Sequence, residues 1–65
     1  MAEISLEDQI KSVGREIGLR RAVYPRFILS KKLTKEQAEH ELACMEAVYG
    51  TLKQLKAQQS LKEQS

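Results

Sequence analysis

The chain is 65 residues long, with 11 basic residues, 9 acidic residues and one cysteine. A chain this short forms one domain at most and buries only about 60% of its unfolded surface when it folds alone, so we expect a partner subunit to add stability. One cysteine excludes an internal disulfide. No signal peptide and no apolar run of about 20 residues is found, which predicts a reduced, cytoplasmic protein with no membrane contact.

The first predicted element is a helix that begins at Ser5. Ser5 is a favourable N-cap, and Glu7 and Asp8 place acids in the first turn, where free backbone N–H groups favour them. Residues 1–4 are expected to be disordered. Apolar residues then recur at helical spacing to about residue 29, at Leu6, Ile10, Val13, Ile17, Tyr24, Phe27 and Ile28.

Pro25 interrupts this helical pattern. Proline has no N–H to donate, and its ring clashes with the preceding turn of a helix. The pattern therefore predicts either a kink or a division into two helices after Tyr24, and both alternatives are open at this point.

A second helix is predicted from the capping box Thr34-Lys35-Glu36-Gln37, in which side chains 34 and 37 bond each other's backbone N–H groups. Its apolar arc is about 160° wide, more than one helix of the same chain can cover. The arc consists of Ala38, Leu42, Cys44, Met45, Val48, Tyr49, Leu52 and Leu55. Residues 58–65 are predicted to be a frayed polar tail, which leaves a single domain at residues 5–57.

These elements predict an all-α fold, a helical hairpin with a Pro-kinked or broken first arm. The uncovered apolar arc favours dimerisation of two hairpins into a helical bundle. The residues expected in the core or at the oligomer interface are Ile17, Tyr24, Leu42, Met45, Val48, Tyr49, Leu52 and Leu55.

Charge is concentrated in the middle of the chain. Residues 11–35 hold eight basic residues and one acid, a net charge of +7, whereas residues 1–10 carry −3 and residues 36–65 carry −2. A clustered field of one sign attracts nucleic acid or an acidic protein surface, and the alternative is a solvated face that only keeps the protein soluble. The predicted partner-binding residues are Lys11, Arg15, Arg21, Arg26, Lys31 and Lys32.

Arg20 differs from these residues because it falls within the apolar stripe of the first helix. A guanidinium in that position needs a carboxylate partner. Glu41 and Glu46 flank the facing stripe, and Glu16 precedes Arg20 by one helical turn. We therefore predict a structural ion pair.

Two short motifs allow a functional and a plain interpretation. Gly14 and Gly18 form Gly-x-x-x-Gly, which indicates either close packing against another subunit or partner, or glycines that the helix tolerates. His40 and Cys44, four residues apart, could contribute to a zinc site in a dimer. A buried thiol beside a surface imidazole is the preferred interpretation, so no metal is predicted.

Catalytic motifs are missing from the sequence. It has no Gly-rich phosphate loop and no nucleophile–base set, and it contains one histidine. A hairpin of this size also offers no deep cleft for a small molecule. We therefore predict a protein that is not an enzyme and has no cofactor and no small-molecule substrate.

Two stretches resemble a known group of proteins. Residues 15–26 read R-E-I-G-L-R-R-A-V-Y-P-R, and residues 38–48 read A-E-H-E-L-A-C-M-E-A-V. With the basic turn between them, they resemble small uncharacterised proteins of tailed phages and prophages, which share R-E-x-x-x-R-R-x-V-Y-P and A-x-x-E-L/I-x-x-M-E. The resemblance spans roughly residues 13–55. It implies a bacterial host cytoplasm and an accessory role, either in phage DNA metabolism or in blocking a host protein.

The sequence thus favours a dimeric, non-enzymatic phage accessory protein. Its basic central segment is expected to bind a host or phage protein with an acidic surface, for example to antagonise a host defence or recombination factor. Nucleic-acid binding through the same segment is the alternative, which the few aromatic residues, all on or near the apolar stripes, disfavour. A purely structural oligomerisation module is the third hypothesis.

Overall fold

The computed structural model describes residues 3–64, and the side chains of residues 3–61. It contains two helices, α1 (Leu6–Leu29) and α2 (Lys35–Gln64), which pack against each other as a hairpin 51 × 25 × 16 Å in extent. Residues 3–64 include no strand. The predicted all-α helical hairpin is therefore confirmed. None of the described helices is long and apolar enough to cross a membrane.

Both predicted helix starts are confirmed by their capping contacts. The backbone N–H of Asp8 donates to Ser5 Oγ at 3.0 Å, which caps α1. At α2, the N–H of Thr34 donates to Gln37 Oε1 at 3.0 Å, and the N–H of Gln37 donates to Thr34 Oγ1 at 3.1 Å. This is the reciprocal geometry of a capping box, in which two otherwise unpaired donors are satisfied.

Pro25 lies inside α1, which continues through it to Leu29. The structure therefore excludes a division into two helices after Tyr24. Tyr24 and Phe27 pack on each other across Pro25 with ring centroids 6.4 Å apart, so side-chain packing on both sides of the proline supports the helix. A bend at Pro25 stays a prediction.

A left-handed residue ends α1. Lys31 has φ 63°, and it follows the C-cap Ser30. The N–H of Lys32 donates to the Phe27 carbonyl at 2.9 Å and that of Lys31 to the Ile28 carbonyl at 3.1 Å, which is the Schellman pattern. The Lys32 ammonium lies 5.3 Å from the centre of the Phe27 ring, where a hydrophobic contact usually completes the motif.

Replacing Lys31 with glycine is expected to stabilise the hairpin by about 1 kcal/mol, because the left-handed conformation costs a residue with a Cβ roughly 1–2 kcal/mol. Chemical denaturation followed by circular dichroism measures the change. Ser30→Gly is the matched control, because Ser30 has φ −83° and glycine relieves nothing there. Equal effects of the two substitutions would contradict this explanation of the turn.

The hairpin buries very little. Only Ile17 and Ala38, 6% and 4% exposed, are buried among the described side chains. The other apolar residues that face the partner helix are half-buried, namely Leu6, Ile10, Val13, Tyr24, Phe27, Ile28, Leu42, Met45, Tyr49 and Leu52. Two residues of the predicted core or interface set, Val48 and Leu55, are exposed. The apolar stripe of α2 is therefore not fully buried by α1 within one hairpin.

The predicted chain ends are only partly covered by the structure. α2 continues to Gln64, beyond residue 57 where the domain is predicted to end. Fraying of residues 58–65 concerns motion and stays a prediction. Residues 1, 2 and 65 lie outside the described residues, so the predicted disorder of residues 1–4 is untested there.

Candidate interaction surface

Two neighbouring arginines join the helices on opposite sides of their contact. Arg20 Nε donates to Glu16 Oε1 at 2.9 Å, and Arg20 Nη1 lies 3.9 Å from Glu41 Oε2. The hydrogen bond to Glu16 raises the pKa of the Arg20 guanidinium above its ordinary value, against the opposing effect of desolvation. Arg20 is therefore the structural residue that the sequence predicts, with two of the three proposed partners.

Arg21 has a structural contact that sequence reasoning missed. Its Nη2 donates to Glu46 Oε1 across the helix interface at 2.7 Å. Glu46 thus pairs with Arg21 and not with Arg20, because a 100° turn separates consecutive helical residues and places the two arginines on opposite sides of the interface. Among the predicted partner-binding residues, Arg21 alone holds α1 to α2 through its side chain.

The remaining predicted partner-binding residues lack cross-helix ion pairs among the described side chains. Lys11 lies 3.8 Å from Glu7 on the same helix, an exposed pair of the kind that contributes little. Arg15, Arg26 and Lys31 are exposed and form no ion pair within residues 3–61. Their charges are not used to hold the hairpin together.

These cations line up on the outer side of α1. Arg15 and Arg26 are 11 residues apart, which places them about 20° from each other around the helix, roughly opposite Ile17, and about 16–17 Å apart along it. Lys11 lies beside Arg15, and Lys31 lies beyond Arg26 in the turn. Lys32, the next residue, lies at the edge of this side, with its ammonium over the Phe27 ring. We call this set the basic strip, and it comprises Lys11, Arg15, Arg26, Lys31 and Lys32.

Exposed leucines lie between these cations. Leu19 and Leu29 are 55% and 85% exposed. Sequence reasoning missed both, because they fall outside the stripe that faces α2. The signal that reveals them is the spacing 4, 3, 4, 3 from Arg15 through Leu19, Ala22 and Arg26 to Leu29. The outer side of α1 is therefore both basic and apolar.

An apolar groove lies next to the outer side of α1 and shares Leu19 with it. The groove has a volume of about 560 Å³, and Arg20 and Glu41 lie at its wall. Its apolar lining consists of Leu19, Val23, Tyr24, Phe27 and Leu33. Val48 and Leu55 follow Glu41 by 7 and 14 residues, so they lie on the same side of α2. We call this side, with Val23, Phe27, Leu33, Val48 and Leu55, the groove face.

The glycine motif has one packing contact inside the chain. A Cβ built on Gly14 would lie 3.3 Å from Cε1 of Tyr49, so glycine allows the tyrosine ring to approach α1 closely. A Cβ on Gly18 meets nothing within 4 Å. Close packing in the hairpin thus accounts for Gly14 and not for Gly18.

His40 and Cys44 are close together on the surface. Cys44 Sγ lies 3.5 Å from His40 Nε2. The prediction of a buried thiol is wrong, because Cys44 is exposed at the edge of the apolar arc. The part of the chain that the structure describes contains no cluster of three or more side chains able to hold a metal ion.

Comparisons with known proteins yield no match to this chain. No family model matches it. No curated protein and no solved structure matches it either. The resemblance to phage and prophage proteins stays a prediction, and the interpretation of the surface depends on its chemistry and geometry.

Proposed function

We propose that this protein is a non-enzymatic interaction protein that docks its basic strip on an acidic surface of another protein. We also propose the setting that the sequence suggests, a phage accessory protein in the bacterial cytoplasm that binds a host or phage protein. The observation that carries the proposal is the exposure of Arg15 and Arg26, which have no ion-pair partner among the described side chains.

The apolar residues of the outer side favour a protein partner over nucleic acid. Phosphate contacts use charge and hydrogen bonds and gain nothing from an exposed leucine. Leu29, the most exposed large apolar residue described, lies one turn from Arg26. The aromatic residues that could stack bases are instead half-buried between or beside the helices. Nucleic-acid binding remains the second candidate because the strip is strongly basic.

We further propose that two hairpins associate. The chain exposes 5499 Å² of surface. A folded monomer of 7.4 kDa exposes about 4,200 Å², so the hairpin has roughly 1,300 Å² in excess. A standard protein interface covers about 800 Å² of each partner. Association through the groove face would therefore remove more than half of this excess.

Reversing the charges of the strip tests the proposed function. The double variant Arg15→Glu/Arg26→Glu is expected to lose partner capture from lysate of phage-infected bacteria and to keep its helicity, because neither side chain holds the hairpin together. Mass spectrometry of the captured proteins measures the loss. Arg21 is left unchanged because its reversal would set a glutamate against Glu46.

The double variant Lys53→Glu/Lys56→Glu is the matched control. It changes the net charge equally but lies on α2, outside the basic strip, and it is expected to capture the partner normally. Equal capture by both variants would show that the strip is a solvated face. Binding of a DNA duplex that weakens steeply with salt and is lost in the Arg15/Arg26 variant would favour nucleic acid.

A further inference from the structure

The outer side of α1 has the residue spacing of a helix-packing seam. Side chains spaced 4 and 3 residues apart form a continuous line along a helix, and helices meet each other along such lines. α2 occupies the opposite side of α1, centred on Ile17. We call the free line the outer seam, and it consists of Arg15, Leu19, Ala22, Arg26 and Leu29.

The apolar members of the outer seam are suited to a helix as partner. Leu19 and Leu29 are both exposed and lie about 15 Å apart along a line about 21 Å long, and Leu19 also borders the groove. Ala22 between them is small and exposed, so the backbone of another helix can approach there.

The charges of the outer seam define the chemistry of the partner. Arg15 and Arg26 belong to the line and have no ion pair among the described side chains. The only acid between residues 11 and 35 is Glu16, and it is bonded to Arg20. The line is thus free of negative charge, and an equivalent line of a second copy would be repelled.

We infer that the outer seam packs against an acidic amphipathic helix of the partner protein. The apolar side chains of that helix lie on Leu19, Ala22 and Leu29, and its carboxylates pair with Arg15 and Arg26. This inference rests on the proposed function, and it specifies the structure and the charge of what the basic strip recognises. Helix-on-helix packing with flanking ion pairs then sets both orientation and register.

The test uses the full chain and a synthetic peptide of 21 residues with leucine at the a and d positions and glutamate at the e and g positions. Repulsion between glutamates keeps this peptide from pairing with itself. A scrambled peptide of equal composition, without an apolar face, is the control. Fluorescence anisotropy is expected to show binding of the amphipathic peptide that is weakened about tenfold or more by Leu19→Ala/Leu29→Ala.

Leu61→Ala is the matched control variant, because Leu61 is another exposed leucine but lies on α2. It is expected to bind like the parent. Alanine at exposed helical positions preserves helicity, which circular dichroism verifies. Absence of binding by the amphipathic peptide would overturn the inference.

The outcomes separate this inference from the proposed function. If both peptides bind alike and only Arg15→Glu/Arg26→Glu weakens them, the strip recognises charge alone, so the proposed function stands and the seam does not. If a DNA duplex binds and neither peptide does, both proposals are wrong. If Leu29→Ala alone, which lies outside the groove lining, changes sedimentation of the protein without any peptide, the seam seats a second copy, which also overturns the inference.

Discussion

Ile17→Ala is expected to unfold the protein. Ile17 is one of two buried side chains described, at the centre of the contact between α1 and α2. Truncation of a buried isoleucine to alanine costs about 2–5 kcal/mol, whereas a core of this size supplies no more than about 3–5 kcal/mol. Circular dichroism is expected to show the loss of most helical signal at room temperature, or a large fall of the melting temperature.

Leu29→Ala is the control for this prediction, because Leu29 is exposed at the end of the same helix. Its effect on the free energy of unfolding should stay within about 0.5 kcal/mol. Leu42, Met45 and Leu52 are half-buried in one hairpin. Truncating them to alanine should lower the free energy of unfolding as much as truncating a buried residue only if a second copy covers them. An Ile17→Ala variant that melts like the parent would show that the assigned core does not stabilise the hairpin.

The second large effect is expected from Val48→Glu/Leu55→Glu, which should convert a dimer into monomers. These side chains are 46% and 45% exposed in one hairpin and lie on the groove face. Burying two carboxylates in an apolar interface costs several kcal/mol, enough to abolish association at micromolar concentration. Sedimentation equilibrium measures the mass, and the melting temperature of the parent should rise with concentration while that of the variant should not.

Ala43→Glu/Ala47→Glu is the matched control, because it adds the same two charges at exposed positions on another side of α2. It is expected to leave the mass of the parent unchanged. A parent protein that is monomeric at all accessible concentrations and still melts cooperatively would contradict the dimer proposal.

The parts of the fold that depend on residues close together in the sequence could be predicted from it. Ser5 and Thr34 cap their helices as predicted because a cap needs only a side-chain oxygen and the N–H groups of the next turn. The pairing of the two helices follows from their apolar spacing. The left-handed Lys31 could not be predicted, because that conformation is usual for glycine and is accompanied here by a contact of Lys32 with Phe27 that only the structure shows.

The candidate site was predictable in composition but not in arrangement. The basic segment is visible in the sequence. The rotation of α1 against α2, however, decides that Arg20 and Arg21 form ion pairs whereas Arg15 and Arg26 form none with the side chains of residues 3–61. Leu19 and Leu29 were missed for the same reason. Their spacing is plain in the sequence, but it becomes meaningful only when the position of α2 shows which side of α1 is empty.

Arg20 and Arg21 contact α2 on opposite sides of the helix interface, which also limits rotation of α1 about its own axis. Each ion pair alone is weak, but the two act as opposed tethers, because Glu41 lies on one side of the helix contact and Glu46 on the other. A roll in either direction lengthens one pair. The two pairs together therefore favour one rotational position of α1, and with it the side of the hairpin on which Arg15 and Arg26 lie. A partner therefore contacts Arg15 and Arg26 on a side of the hairpin that is already defined before binding.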